Sequence, residues 1–242
     1  LLKTLQSLPN FAAFYKDEPR NIRDRFNIVT MIHSLEHMPD PKQTLEDAAT
    51  LLQPGGEIFI EVPNVETSPF DLLIVDHMMH FSPTHLGYLA QRAGLQVKAL
   101  HDDVLPKEIT MLSAAGTGVA TRPLPDRNAM IVSSHISWLT RLLSAAREVA
   151  ARPGAFGIFG TSISGMWLYG ALGEDVAFFV DEDRTRVGKS FEGKPIIAPG
   201  DVPEGASVFL PLHPNAAAGI CQRLQGVGRG LFIEPPPLDL AS

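Results

Sequence analysis

Two histidines and a carboxyl group lie close together in the run His33-Ser-Leu-Glu36-His37. This H-x-x-E-H spacing is the inverted form of a zinc-peptidase signature, in which both histidines share one helix face. However, the β-branched apolar residues 28–32 precede the run directly, and Pro39 and Pro41 follow it. Because the peptidase motif needs two or three helical turns, a strand that ends in a short polar turn explains the run better. A zinc hydrolase that uses His33 and His37 is the weaker alternative, and we predict no metal ligands.

A second polar group occupies the run Asp76-His77-Met-Met-His80-Phe-Ser82. A histidine that is oriented by a carboxylate can remove a proton near neutral pH, since its ordinary pKa lies in that range. We therefore predict Asp76 and His77 as a catalytic pair. Adjacent residues of a strand point to opposite faces, so their pairing requires a turn. His80 is a further catalytic candidate, or it positions the substrate.

A third group is the glycine-bearing run Gly157-Ile-Phe-Gly160-Thr161-Ser162-Ile-Ser164-Gly165, which follows one predicted strand and opens a predicted helix. This arrangement can place backbone N–H groups around a phosphate, although the glycine spacing differs from G-x-G-x-x-G. Asp181 ends the next predicted strand, where a ribose-binding carboxylate is expected. We predict that Gly160, Thr161, Ser162 and Asp181 bind substrate, and a turn that only packs helix on strand is the alternative.

The composition limits the classes of partner. The chain has 242 residues, 45% of them hydrophobic, and a formal net charge of −7, so it can bury a core but has no basic field for nucleic acid. No apolar run is long enough to span a membrane, and no signal peptide begins the sequence. The single cysteine, Cys221, excludes an internal disulfide and suits a cytoplasmic location. We expect Cys221 to be a core residue.

The elements that position these groups alternate between strand and helix. We predict a β-α-β unit from residue 27 to 62 with a turn at 53–56, a helix that Ser82 caps, and an antiparallel hairpin of residues 95–101 and 108–115. A linker and a long helix occupy 117–152, and a second α/β unit of parallel strands follows from 153 to 242. The predicted domains are therefore 1–116, 117–152 and 153–242.

Four segments together carry a resemblance to a known family. They are Phe26-Asn-Ile-Val-Thr, Leu35-Glu-His-Met-Pro-Asp-Pro41, Leu51-Leu-Gln-Pro-Gly-Gly56 and Ile60-Glu-Val-Pro-Asn64. In this order they resemble the second half of class I S-adenosylmethionine-dependent methyltransferases. The run from Phe70 to Ser82 is similar to the Glu-His-x-x-Tyr-Phe-Ser segment of sugar C-methyltransferases, which also carry a C-terminal Rossmann-like domain. The resemblance spans residues 12 to 234.

The resemblance implies an α/β fold: a partial Rossmann-like methyltransferase sheet followed by a second, smaller Rossmann-like domain. It implies S-adenosyl-L-methionine as cofactor, bound by Met31, Ile32, His33 and His37, and a small-molecule substrate such as a nucleotide-linked sugar, contacted by Asn64. It favours methylation on carbon.

Two departures from the family pattern leave alternatives open. The glycine-rich cofactor loop is expected upstream of Asn27 and does not occur in this sequence, so the chain is expected to begin inside the methyltransferase fold. Asp76-His77 also replaces the family's Glu-His. A non-catalytic nucleotide or sugar-nucleotide binding module is therefore the main alternative. A homodimer stays open.

Overall fold

The computed structural model describes residue 4 and residues 7–116, 125–227 and 229–238. The chain divides into two compact units. Unit 1 takes the described residues up to Asn64 and those from Met78 to residue 116, and unit 2 takes residues 65–77 and the described residues from 125 onward. Within the described residues, no helix combines the length and the apolar character needed to cross a bilayer.

Unit 1 is built on a four-stranded sheet in the order β1-β2-β4-β3. Strands β1 and β2 are parallel, β4 runs antiparallel to both β2 and β3, and the predicted hairpin is thereby confirmed. The elements are β1 (Phe26–Ile32), α1 (Pro41–Thr50), β2 (Leu52–Pro63), α2 (Pro83–Arg92), β3 (Leu95–His101) and β4 (Glu108–Ala115). The α/β prediction for this half is confirmed.

Both helices of unit 1 begin at capping residues that the sequence contains. The Asp40 side chain accepts a hydrogen bond from the Gln43 N–H at the start of α1, and Ser82 caps α2 as predicted. Each cap is followed by proline, whose missing N–H costs nothing at the first helical position. The helices cover a core formed mainly by Leu35, Leu45, Ile58, Ile60, Leu86, Leu95, Ile109 and Met111.

The predicted turn at 53–56 is wrong in one respect, because these residues already belong to β2. The backbone nevertheless makes a local irregularity there: Gly55 has a φ of +80°, and the register with β1 shifts between Phe26 and Ile28. A Cβ on Gly56 would stand 2.9 Å from the carbonyl oxygen of Phe26. The two glycines therefore allow β2 to bend while it stays against β1.

Unit 2 is a six-stranded sheet in the order β10-β9-β5-β6-β8-β7. All pairings are parallel except that of β7 with β8, so the predicted parallel sheet gains an antiparallel edge. The elements are α3 (Pro125–Ala150), β5 (Phe156–Phe159), α4 (Ile163–Leu172), β6 (Phe178–Val180), β7 (Ser190–Phe191), β8 (Lys194–Ile197), β9 (Ser207–Phe209), α5 (Pro214–Leu224) and β10 (Leu231–Ile233).

Residues 65–77 belong to unit 2, although they lie between two segments of unit 1 in the sequence. They contain a short 3₁₀ helix, Pro69–Leu73, whose apolar residues pack against the core beneath α3 and α4. The Phe70 ring meets the buried Trp138 ring edge-on, with 5.4 Å between the ring centroids. The predicted domain boundaries at 116 and 152 do not include this assignment of residues 65–77 to unit 2. Residues 117–124 of the predicted linker lie outside the described residues.

Candidate functional site

His33 lies at the carboxyl end of β1, the edge where open α/β sheets bind ligands. Its N–H donates to the Glu61 carbonyl oxygen of β2, and its φ is +44°, so the chain turns sharply there. Its Nδ1 lies 3.5 Å from Oε1 of Glu36, and its Nε2 lies 3.8 Å from Oε1 of Glu61 and 3.9 Å from Oε2 of Glu108. Carboxyl groups therefore surround this strand end.

Glu36 is the most buried of these acids, with 1% of its surface exposed. Neither of its carboxyl oxygens has a hydrogen-bond partner among the described residues. Its backbone carbonyl accepts a hydrogen bond from the Met79 N–H, so the main chain of Glu36 helps to fix the turn. A buried carboxyl without a hydrogen bond is costly, so this side chain is suited to a ligand that carries positive charge.

The four predicted cofactor residues lie on this strand end and on the turn that follows. Ile32 and His33 are exposed, whereas Met31 and His37 are half-buried. His37 ends a single 3₁₀ turn, Leu35–His37, instead of the long helix that a zinc peptidase requires. Among the residues that the structure describes, His37 belongs to a group of three potential metal-ligand residues, but no such group contains His33. A zinc site that uses both His33 and His37 is therefore not supported.

In unit 2, the structure shows His77 against a carboxyl group other than that of the predicted partner Asp76, and the predicted catalytic pair stays a prediction. A turn does form, in which the His77 N–H donates to the Ile74 carbonyl oxygen, but it leaves the Asp76 side chain exposed. Nδ1 of His77 instead lies 2.7 Å from Oδ1 of Asp71. Both side chains are buried, with 7% and 2% exposed. Nothing in the spacing of Asp71 identified it beforehand, because side chains six residues apart do not contact each other within one strand or one helix.

Two other predicted residues belong to unit 1. Asn64 follows β2, is 1% exposed, and donates its N–H to the Lys107 carbonyl oxygen. In this conformation it holds the β2 end against the loop before β4. His80 is half-buried and directly precedes Phe81 of the core. The roles of both residues toward a ligand stay predictions.

In unit 2, two glycines of the predicted phosphate loop have a packing reason. A Cβ on Gly157 would overlap the Phe178 ring, and one on Gly165 would overlap the Gly160 carbonyl oxygen. Gly160 itself has a φ of +82° at the turn between β5 and α4. The alternative explanation, a turn that packs helix on strand, therefore accounts for the spacing of Gly157 and Gly165.

The polar residues of that loop converge on Asp181 at the carboxyl end of β6. Thr161 Oγ1 donates to Oδ2 of Asp181 at 3.3 Å, and Nη1 of Arg186 reaches the same oxygen at 3.3 Å and Thr161 Oγ1 at 3.2 Å. The Arg186 guanidinium is 47% exposed, so it can also face a ligand. Sequence reasoning missed Arg186. Asp181 also lines a cavity of about 280 Å³ with Glu182, Arg184, Val187, Ala198 and Pro199.

A buried histidine of α3 was likewise missed. His135 is 0% exposed, and neither ring nitrogen has a hydrogen-bond partner among the described residues. Burial lowers the pKa of His135, and the neighbouring His213 lowers it further. The ring is therefore held in its neutral form.

Comparison with known proteins finds similarity to methyltransferases in the first part of the chain. Residues 6–100 match the family model described as "Methyltransferase domain". The chain is 32% identical over 89 residues to the ubiquinone biosynthesis O-methyltransferase of Aeromonas salmonicida (strain A449). This alignment covers 31% of this chain and 37% of that protein. It is 30% identical over 89 residues to the enzyme of the same name from Stutzerimonas stutzeri (strain A1501), with 31% and 38% covered. The chain thus spans well under half the length of these curated relatives.

Solved structures show a weaker likeness. An S-adenosylmethionine-dependent methyltransferase from Clostridium acetobutylicum ATCC 824 has a TM-score of 0.36 and 12% identity, with 48% of this chain and 68% of that chain covered. The CcbJ methyltransferase from Streptomyces caelestis has a TM-score of 0.39 and 13% identity, with 48% and 69% covered.

Proposed function

We propose that this protein is an S-adenosylmethionine-dependent methyltransferase that acts on a small molecule. The match of residues 6–100 to a methyltransferase domain carries this proposal. The order and direction of β1, β2, β4 and β3 agree with it, because the resemblance implied a strand pair followed by a closing antiparallel hairpin.

The residues at the β1 end suit such a cofactor. S-adenosylmethionine supplies a methyl group on a positively charged sulfur, and it also carries an ammonium group. Ile32 offers an exposed apolar side chain, and Glu36 offers a buried carboxyl whose oxygens have no hydrogen-bond partner among the described residues. Apolar surface and negative charge at this strand end would together bind the ligand. The ligand would then contact Met31, Ile32, His33 and His37.

We further propose that the acceptor is a carbon atom next to a ketone, in a nucleotide-linked sugar. His77 would remove the α-proton, and the electron pair of that C–H bond would form an enolate. The enolate carbon would then bond to the methyl carbon as the S–CH₃ bond breaks, and that electron pair stays on sulfur. The buried contact of His77 with Asp71 supports a base at this position.

The nucleotide part would be held by unit 2, through Gly160, Thr161, Ser162 and Asp181. The cavity beside Asp181 and the exposed cation of Arg186 support this assignment, since a ribose and a phosphate need a carboxylate and a cation respectively. The same features would serve a non-catalytic sugar-nucleotide binding module, which is the alternative if no methyl transfer occurs.

Methylation of oxygen is the second candidate reaction, because the curated relatives of unit 1 bear the name O-methyltransferase. An oxygen nucleophile would need His77 only to take the hydroxyl proton. Proton and carbon NMR of the product separate the two, since a new C–CH₃ group and a new O–CH₃ group resonate far apart.

The central test is cofactor binding and turnover with the full-length gene product. Isothermal titration with S-adenosylmethionine should show a single saturable site, and nucleotide-sugar ketones should accept a labelled methyl group. Nucleotide-sugar binding without any cofactor binding would select the non-catalytic module instead.

A further inference from the structure

Asp71 and His77 pair a carboxyl group closely with an imidazole inside unit 2. Oδ1 of Asp71 lies 2.7 Å from Nδ1 of His77, and the two side chains are 2% and 7% exposed. A contact of this length between buried groups is a hydrogen bond with little competition from water. It fixes both the position of the ring and the nitrogen that carries the proton.

The carboxyl group is held in place by its own helix and by the core of unit 2. The Asp71 N–H donates to the Ser68 carbonyl oxygen, and the Asp71 carbonyl accepts from the Ile74 N–H. Its neighbours Phe70 and Leu72 pack against the core that contains Trp138. A carboxyl group anchored in this way can orient a ring without rearranging itself.

We propose that Asp71 is the positioning residue for the proton-accepting His77, an inference that rests on the methyltransferase function proposed above. The Asp71 carboxylate accepts the Nδ1–H of the neutral ring, so the lone pair of the ring lies on Nε2. Nε2 takes the α-proton of the substrate, and the imidazolium that results keeps its Nδ1–H bonded to Asp71. The proton on Nε2 then leaves to solvent after methyl transfer, which restores the neutral ring.

Asp71 and Asp76 both lie close to His77 in the sequence, and the positioning role is assigned to Asp71 alone. Asp76 is adjacent to His77 but its side chain is exposed, whereas Asp71 is six residues away and buried against the ring. The arrangement follows the logic of acid-histidine pairs in hydrolases, in which the carboxylate holds the tautomer and does not itself take the proton.

The test compares Asp71→Asn with the control Asp175→Asn, an exposed aspartate of unit 2, in the full-length gene product. We expect Asp71→Asn to lower kcat on the order of 10²-fold while KM for the acceptor changes little, because orientation and tautomer are lost without loss of binding. Asp175→Asn should change kcat less than about twofold, as is usual for an exposed side chain. Thermal unfolding and circular dichroism establish that each variant is folded.

A second readout does not depend on activity. Nitrogen-15 shifts of His77, assigned by comparison with His77→Gln, should show the Nδ1–H tautomer in the wild-type protein and a shift toward Nε2–H in Asp71→Asn. A wild-type ring in the Nε2–H form would overturn the proposal even if Asp71→Asn does not fold.

The outcomes also separate this inference from the proposed function. If His77→Gln abolishes methyl transfer but Asp71→Asn retains wild-type kcat, the positioning role is wrong and the base stands. If His77→Gln retains full activity, the base assignment itself is wrong, and the role of Asp71 falls with it.

Discussion

Gly165 in the first turn of α4 lies directly against the carbonyl oxygen of Gly160, with no room between them for a Cβ. The contact holds the start of the helix close to the end of β5. The turn that carries Thr161 and Ser162 is therefore set by a backbone approach that only glycine permits.

We predict that Gly165→Ala lowers the free energy of unfolding by about 1–3 kcal/mol, because the methyl group must displace backbone atoms. Chemical denaturation measures the change. Gly170 is the matched control: it lies in the same helix, is exposed, and a methyl group on its Cα would meet no atom within 4 Å. Gly170→Ala should raise the same free energy by about 0.5–1 kcal/mol. Equal losses in both variants would contradict the packing argument.

His77→Ala should reduce the rate of methyl transfer by about 10²–10⁴-fold if the ring is the base. Cofactor affinity should change far less than the rate, since His77 is not one of the predicted cofactor residues. His101→Ala is the control, because that side chain is 57% exposed at the end of β3. Single-turnover rates and titration calorimetry separate the two effects. Full activity in His77→Ala would remove the base assignment.

Asp181→Asn and Arg186→Ala should each raise the Kd for uridine diphosphate by about tenfold, equivalent to about 1.4 kcal/mol of binding free energy. The reason is their shared contact at the carboxyl end of β6, where ribose and phosphate are proposed to bind. Arg229→Ala is the control, because its partner Glu204 and Arg229 itself are both 77% exposed. Unchanged affinity in both site variants would place the nucleotide elsewhere.

His135 should make unit 2 less stable in mild acid. Because burial lowers the pKa of His135 below the ordinary 6.5, the unfolded chain binds a proton at a higher pH than the folded protein does. Its contribution to stability is therefore full above that value and is lost as the pH falls below it. The drop in unfolding free energy between about pH 7.5 and about pH 5.5 should be smaller in His135→Leu. An equal drop in the wild-type protein and in His135→Leu would show that His135 has the same charge in the folded and the unfolded chain over this pH range.

Cys221 should react slowly with thiol reagents in the folded protein. It is 6% exposed, and burial raises the pKa of its thiol to about 11, so little thiolate is present near pH 8. Guanidinium should release fast labelling of one thiol per chain, since the sequence contains one cysteine. Fast labelling under native conditions would show that α5 opens readily.

Local patterns predicted most of the elements because their causes are local. Asp40, Ser82 and the prolines after them mark helix starts, and the apolar run of β5 matches a buried strand. The β7–β8 hairpin was not predicted. Glu192 and Gly193 in its turn both have positive φ. In the sequence, however, a Glu-Gly pair between two short strands is only a weak turn signal.

The partner of His77 could not be predicted in the same way. Asp71 reaches the ring only because residues 69–73 form a 3₁₀ helix and then turn, and that helix is anchored by a ring contact with distant Trp138. Contacts between residues far apart in sequence leave no periodicity to detect. The strand end at β1 and the turn after it were predictable because an apolar β-branched run followed by prolines is a local signal.

The exchange of residues 65–77 into unit 2 bears on how this protein could be recombined with others. A hybrid that took only the part of the chain after residue 116 would lose Phe70 from its place against Trp138, and the histidine with it. A transplant of the second unit must therefore carry two separate stretches of the gene, and the shorter one encodes Phe70 and His77.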